Sequence, residues 1–427
     1  MNASALSPSV TRLRDEFERV RPALRGAPAV RAAAMARFTE LGFPGAREEA
    51  WKYTSLRRLE SRKFAPAVAP QDTTALPAAL AAHRIVLTNG LAVGDLPAAL
   101  AGFAIRSLES PVEAHTDHLL RPIAGLGTER FAALNAALST SPLLLTMEAN
   151  VQSEEVLELS LHTSGSGPTL ASPRITVRLG AHSRGRLLID HTDDGQEHFA
   201  NAVLDVELAT GAELTVYRLQ RQGDKSFHIE RVEARVADGA RFVLRDSQMG
   251  SSLARLDLHV SLDGRASGTE LTGVFLADGA RHLDTHVLVE HRAVETTSLQ
   301  DYRGIAANKG RGVFNGKSIV HAGAQKSNAR QVNRNLLLTP GAEIDTKPDL
   351  EIYADDVQCS HGATTGQLDP NALFYLRSRG LDESEARSAL TRAFAGAVLS
   401  KVDAPALAQH VHDELDRRLV RLLEVAA

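Results

Sequence analysis

Cys359, the only cysteine of the chain, and His361 two positions on could do metal chemistry together. Thiolate and imidazole both suit iron, zinc and copper. The pair lies in residues 351–366, EIYADDVQCSHGATTG, where Ile352, Tyr353 and Val357 favour extended backbone. Side chains alternate along a strand, so this reading puts Asp355, Val357, Cys359 and His361 on one face. Asp356, Gln358 and Ser360 then point the other way. Two ligands do not close a site, because structural zinc and iron–sulfur clusters normally take four. A single cysteine excludes a self-contained four-cysteine site, so a cluster held here would borrow ligands from elsewhere. Taken alone, the pair reads better as an inert buried cysteine beside an incidental histidine than as a metal site.

Other chemical patterns fail on spacing. Residues 310–318, GRGVFNGKS, resemble the phosphate loop G-x-x-x-x-G-K-[ST], but Gly312 leaves three residues before Gly316 and Gly310 leaves five. Ile319, Val320 and His321 continue as strand, with no helix N-terminus to hold phosphate. Residues 164–168, SGSGP, lack the third glycine of a dinucleotide fingerprint. His282 and His286 share a strand parity that His291 does not, and all three read as solvated strand histidines. Asp355 and Asp356 point apart on a strand, which does not suit paired glycosidase acids. Trp51, in REEAWKYTSLRRL, reads as a packing anchor where helix meets body.

A formal charge of −4 gives no reason to expect nucleic acid or an anionic membrane as partner. Aromatic residues are 4% of the 427, too few for a sugar- or base-stacking surface. No stretch approaches the ~18 apolar residues that cross a bilayer. The start of the chain has neither a signal-peptide pattern nor an acid-poor transit pattern, and the lone cysteine fits a reducing compartment. The expected location is the cytoplasm.

Four regions position these residues. Residues 1–64 carry helical periodicity through Val10, Leu13, Phe17 and Val20, interrupted at Pro22, with a second helix from Val30 to Leu41. Residues 65–141 combine a Pro/Ala/Thr-rich linker with mixed short strands and helical patches. Residues 142–366 are a long series of short extended runs. Gly-Ala turns return at Gly180, Gly211, Gly239, Gly279, Gly323 and Gly341, with irregular spacings of 31, 28, 40, 44 and 18. This predicts a mainly β protein with a parallel β-helix core. Asp-Gly at Asp194, Asp238, Asp263 and Asp278 keeps a hairpin-rich sandwich as the alternative. Residues 367–427 return to helix: Asp369 caps, Pro370 fills the first turn, and Asp382 with Glu385 forms a capping box. A last helix from Pro405 to Val425 is amphipathic through Leu407, Val411, Leu415, Leu419 and Leu422, and serves either packing or docking.

Three segments together resemble the SufB/SufD family of scaffold subunits in SUF iron–sulfur cluster assembly. They are GFPGAREEAWKYTSL, GVFNGKSIV, and LLLTPGAEIDTKPDLEIYADDVQCSHGATTGQLD running into LFYLRSRGLDESEA. Gly362 after His361, and the single cysteine, place the resemblance on the SufD side. It implies a right-handed parallel β-helix flanked by helical N- and C-terminal regions. It also implies a non-catalytic scaffold that pairs with a SufB-like subunit and carries a SufC-like ABC ATPase on its C-terminal helices. Cys359 and His361 are then ligands to a transient iron–sulfur cluster shared with the partner. Two rivals are a homodimeric scaffold acting without the ATPase and a β-helix carbohydrate-active enzyme. The enzyme would require secretion and an aromatic-lined acidic groove.

Overall fold

The computed structural model describes residues 7–68, 76–108, 126–127 and 129–425, the last five of these without their side chains. Its body is a β-solenoid of about eight turns, each contributing one strand to each of two parallel sheets. The first sheet stacks Leu143–Met147, Arg174–Leu179, His198–Leu208, Phe227–Val236, Leu253–Leu262, His282–His291, Arg311–Val320 and Glu343–Ile352. The second stacks Gln152–Thr163, Arg184–Asp193, Glu213–Gln220, Arg241–Gln248, Gly268–Ala277, Thr297–Ala306, Asn328–Leu337 and Gln358–Gly366. Register carries like onto like: Leu157, Leu187, Val216, Leu244 and Leu271 form one inward ladder of fully buried side chains. Alternate residues of both sheets meet in this shared core.

One corner repeats a single backbone device. Asn150, His182, Gly211, Gly239, Ala266, Glu295 and Lys326 all sit at positive φ, between 55° and 65°. Each donates its N–H to the corner of the following turn, at Ala181, Thr210, Asp238, Arg265, Val294, Gln325 and Asp356 in order. Only two of these seven positions are glycine, although the left-handed region favours it. Gly279 and Gly341 belong to the other corner, so the Gly-Ala spacings mixed two series. The Asp-Gly dipeptides at Asp194, Asp238, Asp263 and Asp278 lie at or beside strand ends of the solenoid, not in two-residue hairpins.

Helices cover both outer faces. Helices α1 (Pro8–Val20), α2 (Pro28–Leu41), α3 (Arg57–Glu60) and α4 (Glu129–Leu138) lie against the first sheet. Phe17, Phe38, Trp51 and Phe131 pack there over Phe199, Phe227 and Leu253. Strands Phe103–Ser107 and His83–Thr88 extend the first and second sheets at the N-terminal end.

Helices α5 (Pro370–Ser378), α6 (Glu383–Leu399) and α7 (Pro405–Val425) follow the last strand. Asp369 Oδ1 accepts from Asn371 N at 2.9 Å, and the Asp382–Glu385 capping box closes reciprocally at 2.8 and 2.9 Å. Leu407, Val411, Leu415 and Leu419 bury against Tyr217, Leu219 and Val274 of the second sheet, so packing occupies this stripe of α7. Leu422's side chain lies outside the described residues. In contrast, α5 buries none of its residues; Phe374 is 75% exposed and Tyr375 56%.

Candidate functional site

The segment that reads as one strand is broken by a corner. Glu343–Ile352 belongs to the first sheet, Gln358–Gly366 to the second, and the chain turns between them. Asp355 and Asp356 therefore sit on the corner, and Asp355 does not join the face of Cys359 and His361. Asp356 is tied in by its backbone: its carbonyl accepts from Lys326 and its N–H donates to Gln325 Oε1. The high strand propensity of Ile352, Tyr353 and Val357 hid this turn: Ile352 ends one strand, while Tyr353 and Val357 lie in the connection before the next opens at Gln358.

Cys359 and His361 do share a face, and it is the inward one. Cys359 lies opposite the buried Ala329, and His361 opposite the buried Gln331. His361 ends the ladder that begins at Leu157 and passes through Gln300 and Gln331. Elsewhere that ladder is sealed by the following turn. Here no strand follows among the described residues, so His361 is exposed and Cys359 half-buried. Cys359 packs beside Val320, Ala324, Ala329 and Ala354. Burial pushes its thiol up, partly offset by a backbone hydrogen bond from Ala329. The resting form is the thiol, and binding a metal would release its proton.

Around the pair, both terminal strands present one unpaired backbone edge. Every residue of Glu343–Leu350 is exposed or half-buried, and Ile352 and Tyr353 stand 44% and 62% exposed. A side chain at Gly362 would meet nothing within 4 Å, so this glycine is not required sterically. The solenoid's C-terminal mouth is thus an open apolar-and-polar rim that carries one thiol and one imidazole.

The other sequence candidates resolve differently. GVFNGKSIV is strand throughout, within Arg311–Val320. His286 and His291 are buried rather than solvated, and His282 is half-buried under the N-terminal helices. His282 Nε2 meets Thr54 Oγ1 at 2.8 Å, and His291 bonds Thr296 and Ser298 inside the solenoid. Outer strand positions looked solvent-facing because the covering helices come from distant sequence. Trp51 is an anchor as read, 1% exposed. A surface groove of about 510 Å³ offers one carboxylate, Glu270, paired with Arg241 and Arg245, and no aromatic ring. It lacks the acid pair and stacking platform of a sugar cleft. One cluster escaped the sequence reading: His191, His228 and Glu230 converge inside the solenoid, with ligand atoms all within 4.8 Å.

The family model described as "SUF system FeS cluster assembly, SufBD core domain" matches residues 161–394, which run from the second sheet's first strand into α6. A SufBD family protein of Synechocystis is 33% identical over 387 residues, covering 85% of this chain and 84% of its own. The chain belongs to the SufBD family. The SufD protein of Escherichia coli is 30% identical over 385 residues, covering 88% and 90%. A SufBD family protein of Mycobacterium tuberculosis is 27% identical over 384 residues. The matched span holds seven strands of each sheet in full, and the Cys359–His361 rim lies within it. Among the described residues, no helix of this SufBD chain is long and apolar enough to cross a membrane.

Proposed function

We propose that this SufBD chain is a non-catalytic scaffold for SUF iron–sulfur cluster assembly in the cytoplasm, working as a SufD-type subunit. The observation that carries the reading is the placement of Cys359 and His361 on one face of the last strand, at an edge with no neighbour. A second scaffold of SufB type is the partner that would continue both sheets across that edge. A cluster then sits between the subunits as cargo, with this chain contributing the His361 imidazole and the Cys359 thiolate. Two ligands from one side bind weakly enough to let the cluster leave for an acceptor.

A SufC-like ABC ATPase is the proposed occupant of α5 and the turn into α6. Support comes from the exposed Phe374 and Tyr375 on a helix none of whose residues is fully buried. The same open edge would also accept a second copy of this chain, which keeps the homodimer as the alternative state. Co-expression separates them. Tagged full-length chain should retain both a SufB-type subunit and the ATPase, and the complex should take up iron and sulfide under anaerobic reconstitution. Recovery only as a homodimer that takes up neither would contradict the proposal.

A further inference from the structure

Inside the solenoid, four to six strands before the rim, polar residues replace the apolar ladders. His191 follows Leu187 and Ile189 on the inward parity of the second sheet. His228 and Glu230 precede Val232 and Ala234 on the inward parity of the first. Their side chains are at most 2% exposed. Glu230 Oε2 lies 3.2 Å from His191 Nε2 and 3.1 Å from His228 Nε2, and the two rings stand edge to face with centroids 4.6 Å apart. Arg218 donates to the same oxygen at 2.6 Å and to Asp246 Oδ1 at 2.7 Å.

The hydrogen bonding here does not close. Nε2 of His228 faces Arg218 Nη2 at 3.1 Å, which requires a lone pair, and Glu230 Oε2 at 3.1 Å, which requires a proton. A neutral ring serves one of them. Its Nδ1 is buried without a hydrogen-bond partner. Glu230 and Asp246 share one arginine, and Asp246 also accepts from Gln248 at 2.8 Å.

We infer that His191, His228 and Glu230 form a binding site for one borderline divalent cation of the zinc or ferrous class, stapling the two sheets across the solenoid interior. Two imidazole nitrogens and a carboxylate are the donor set such ions take. A bound ion takes one lone pair from each Nε2 and one from the Glu230 carboxylate. Loading requires Arg218 to yield its contacts with Glu230 and His228 and keep the one to Asp246, behind the ligand carboxylate. The site is independent of Cys359 and His361.

The test uses the full chain carrying Cys359→Ser and His361→Ala, which removes the rim ligands. It is produced in zinc-supplemented medium, dialysed against chelator, and assayed for metal and zinc-edge X-ray absorption. The inference expects about one zinc per chain with imidazole scattering and no sulfur. Adding His228→Gln or Glu230→Gln should lower occupancy tenfold or more. Less than about a tenth of a zinc per parent chain would overturn it, as would a spectrum without imidazole or full occupancy in a folded variant. Because the spectrum is read on the parent, failure of a variant to fold leaves the inference testable.

Discussion

The Arg255 guanidinium lies over the Trp51 ring, 3.8 Å from its centroid, with both residues almost fully buried. The same guanidinium donates to the carbonyls of Ala50 and Leu126 and to the carboxylates of Asp257 and Asp284. One solenoid side chain thereby fastens the N-terminal helices to the first sheet. Arg255→Leu should cost about 3–5 kcal/mol, because two carboxylates stay buried without their cation. Urea unfolding of parent and variant measures it. A loss below about 1 kcal/mol would mean that this contact does not hold the helices.

A second polar group on the same sheet gives stability a pH signature. Hydrogen bonds from His259, Arg292 and His321 hold Glu290 well below the usual carboxylate range, against burial. Burial works against the charged form of His259, but Glu233 and Glu290 outweigh it and raise the ring's value. The depressed Glu290 contributes stability above its ordinary 4.5 and loses it as pH falls through its folded value. The raised His259 contributes fully below its ordinary 6.5 and loses its part as pH rises through its folded value. The urea-midpoint gap between parent and Glu290→Gln should therefore be widest between pH 4.5 and 6.5 and narrow as pH rises through the folded value of His259. A gap independent of pH would refute this assignment.

The exposed helix α5 gives a test of partner binding that spares the fold. Deleting everything after Gly366 would also strip α6 and α7 from Tyr217, Leu219 and Val274, so loss of binding there would be ambiguous. Phe374→Ala with Tyr375→Ala removes two exposed rings instead. Stability should change by no more than about 0.5 kcal/mol, while ATPase affinity should fall at least about tenfold. Unchanged affinity, by titration calorimetry, would remove α5 from the interface.

Much of this was legible because local rules and the fold agree. The capping box at Asp382 and Glu385, the helix start at Asp369-Pro370, and the shared face of Cys359 and His361 follow from neighbours in sequence. The corner column was not legible, because His182, Ala266, Glu295 and Lys326 hold left-handed backbone through hydrogen bonds to the next turn. Nothing in those residue types announces it. Arg255, His286 and His259 alternate with apolar residues as solvent-facing positions do. Helices and ion pairs brought from elsewhere in the chain decide their burial, and a strand pattern contains neither. His191, His228 and Glu230 were hidden for the converse reason: they occupy inward positions where an apolar ladder was expected.

The central claim is that His361, on the open end of the solenoid, is a ligand shared with a SufB-type partner. The direct measurement is iron and sulfide per complex after anaerobic reconstitution of parent and His361→Ala chains with both partner subunits. His361 is exposed, so its removal leaves no buried cavity, and the variant should fold and assemble like the parent. Its cluster loading should nevertheless fall about tenfold or more, since alanine offers no ligand atom. His361→Cys should regain part of that loading, and the control His321→Ala should keep all of it. A His361→Ala complex that assembles normally and loads cluster like the parent would contradict the claim.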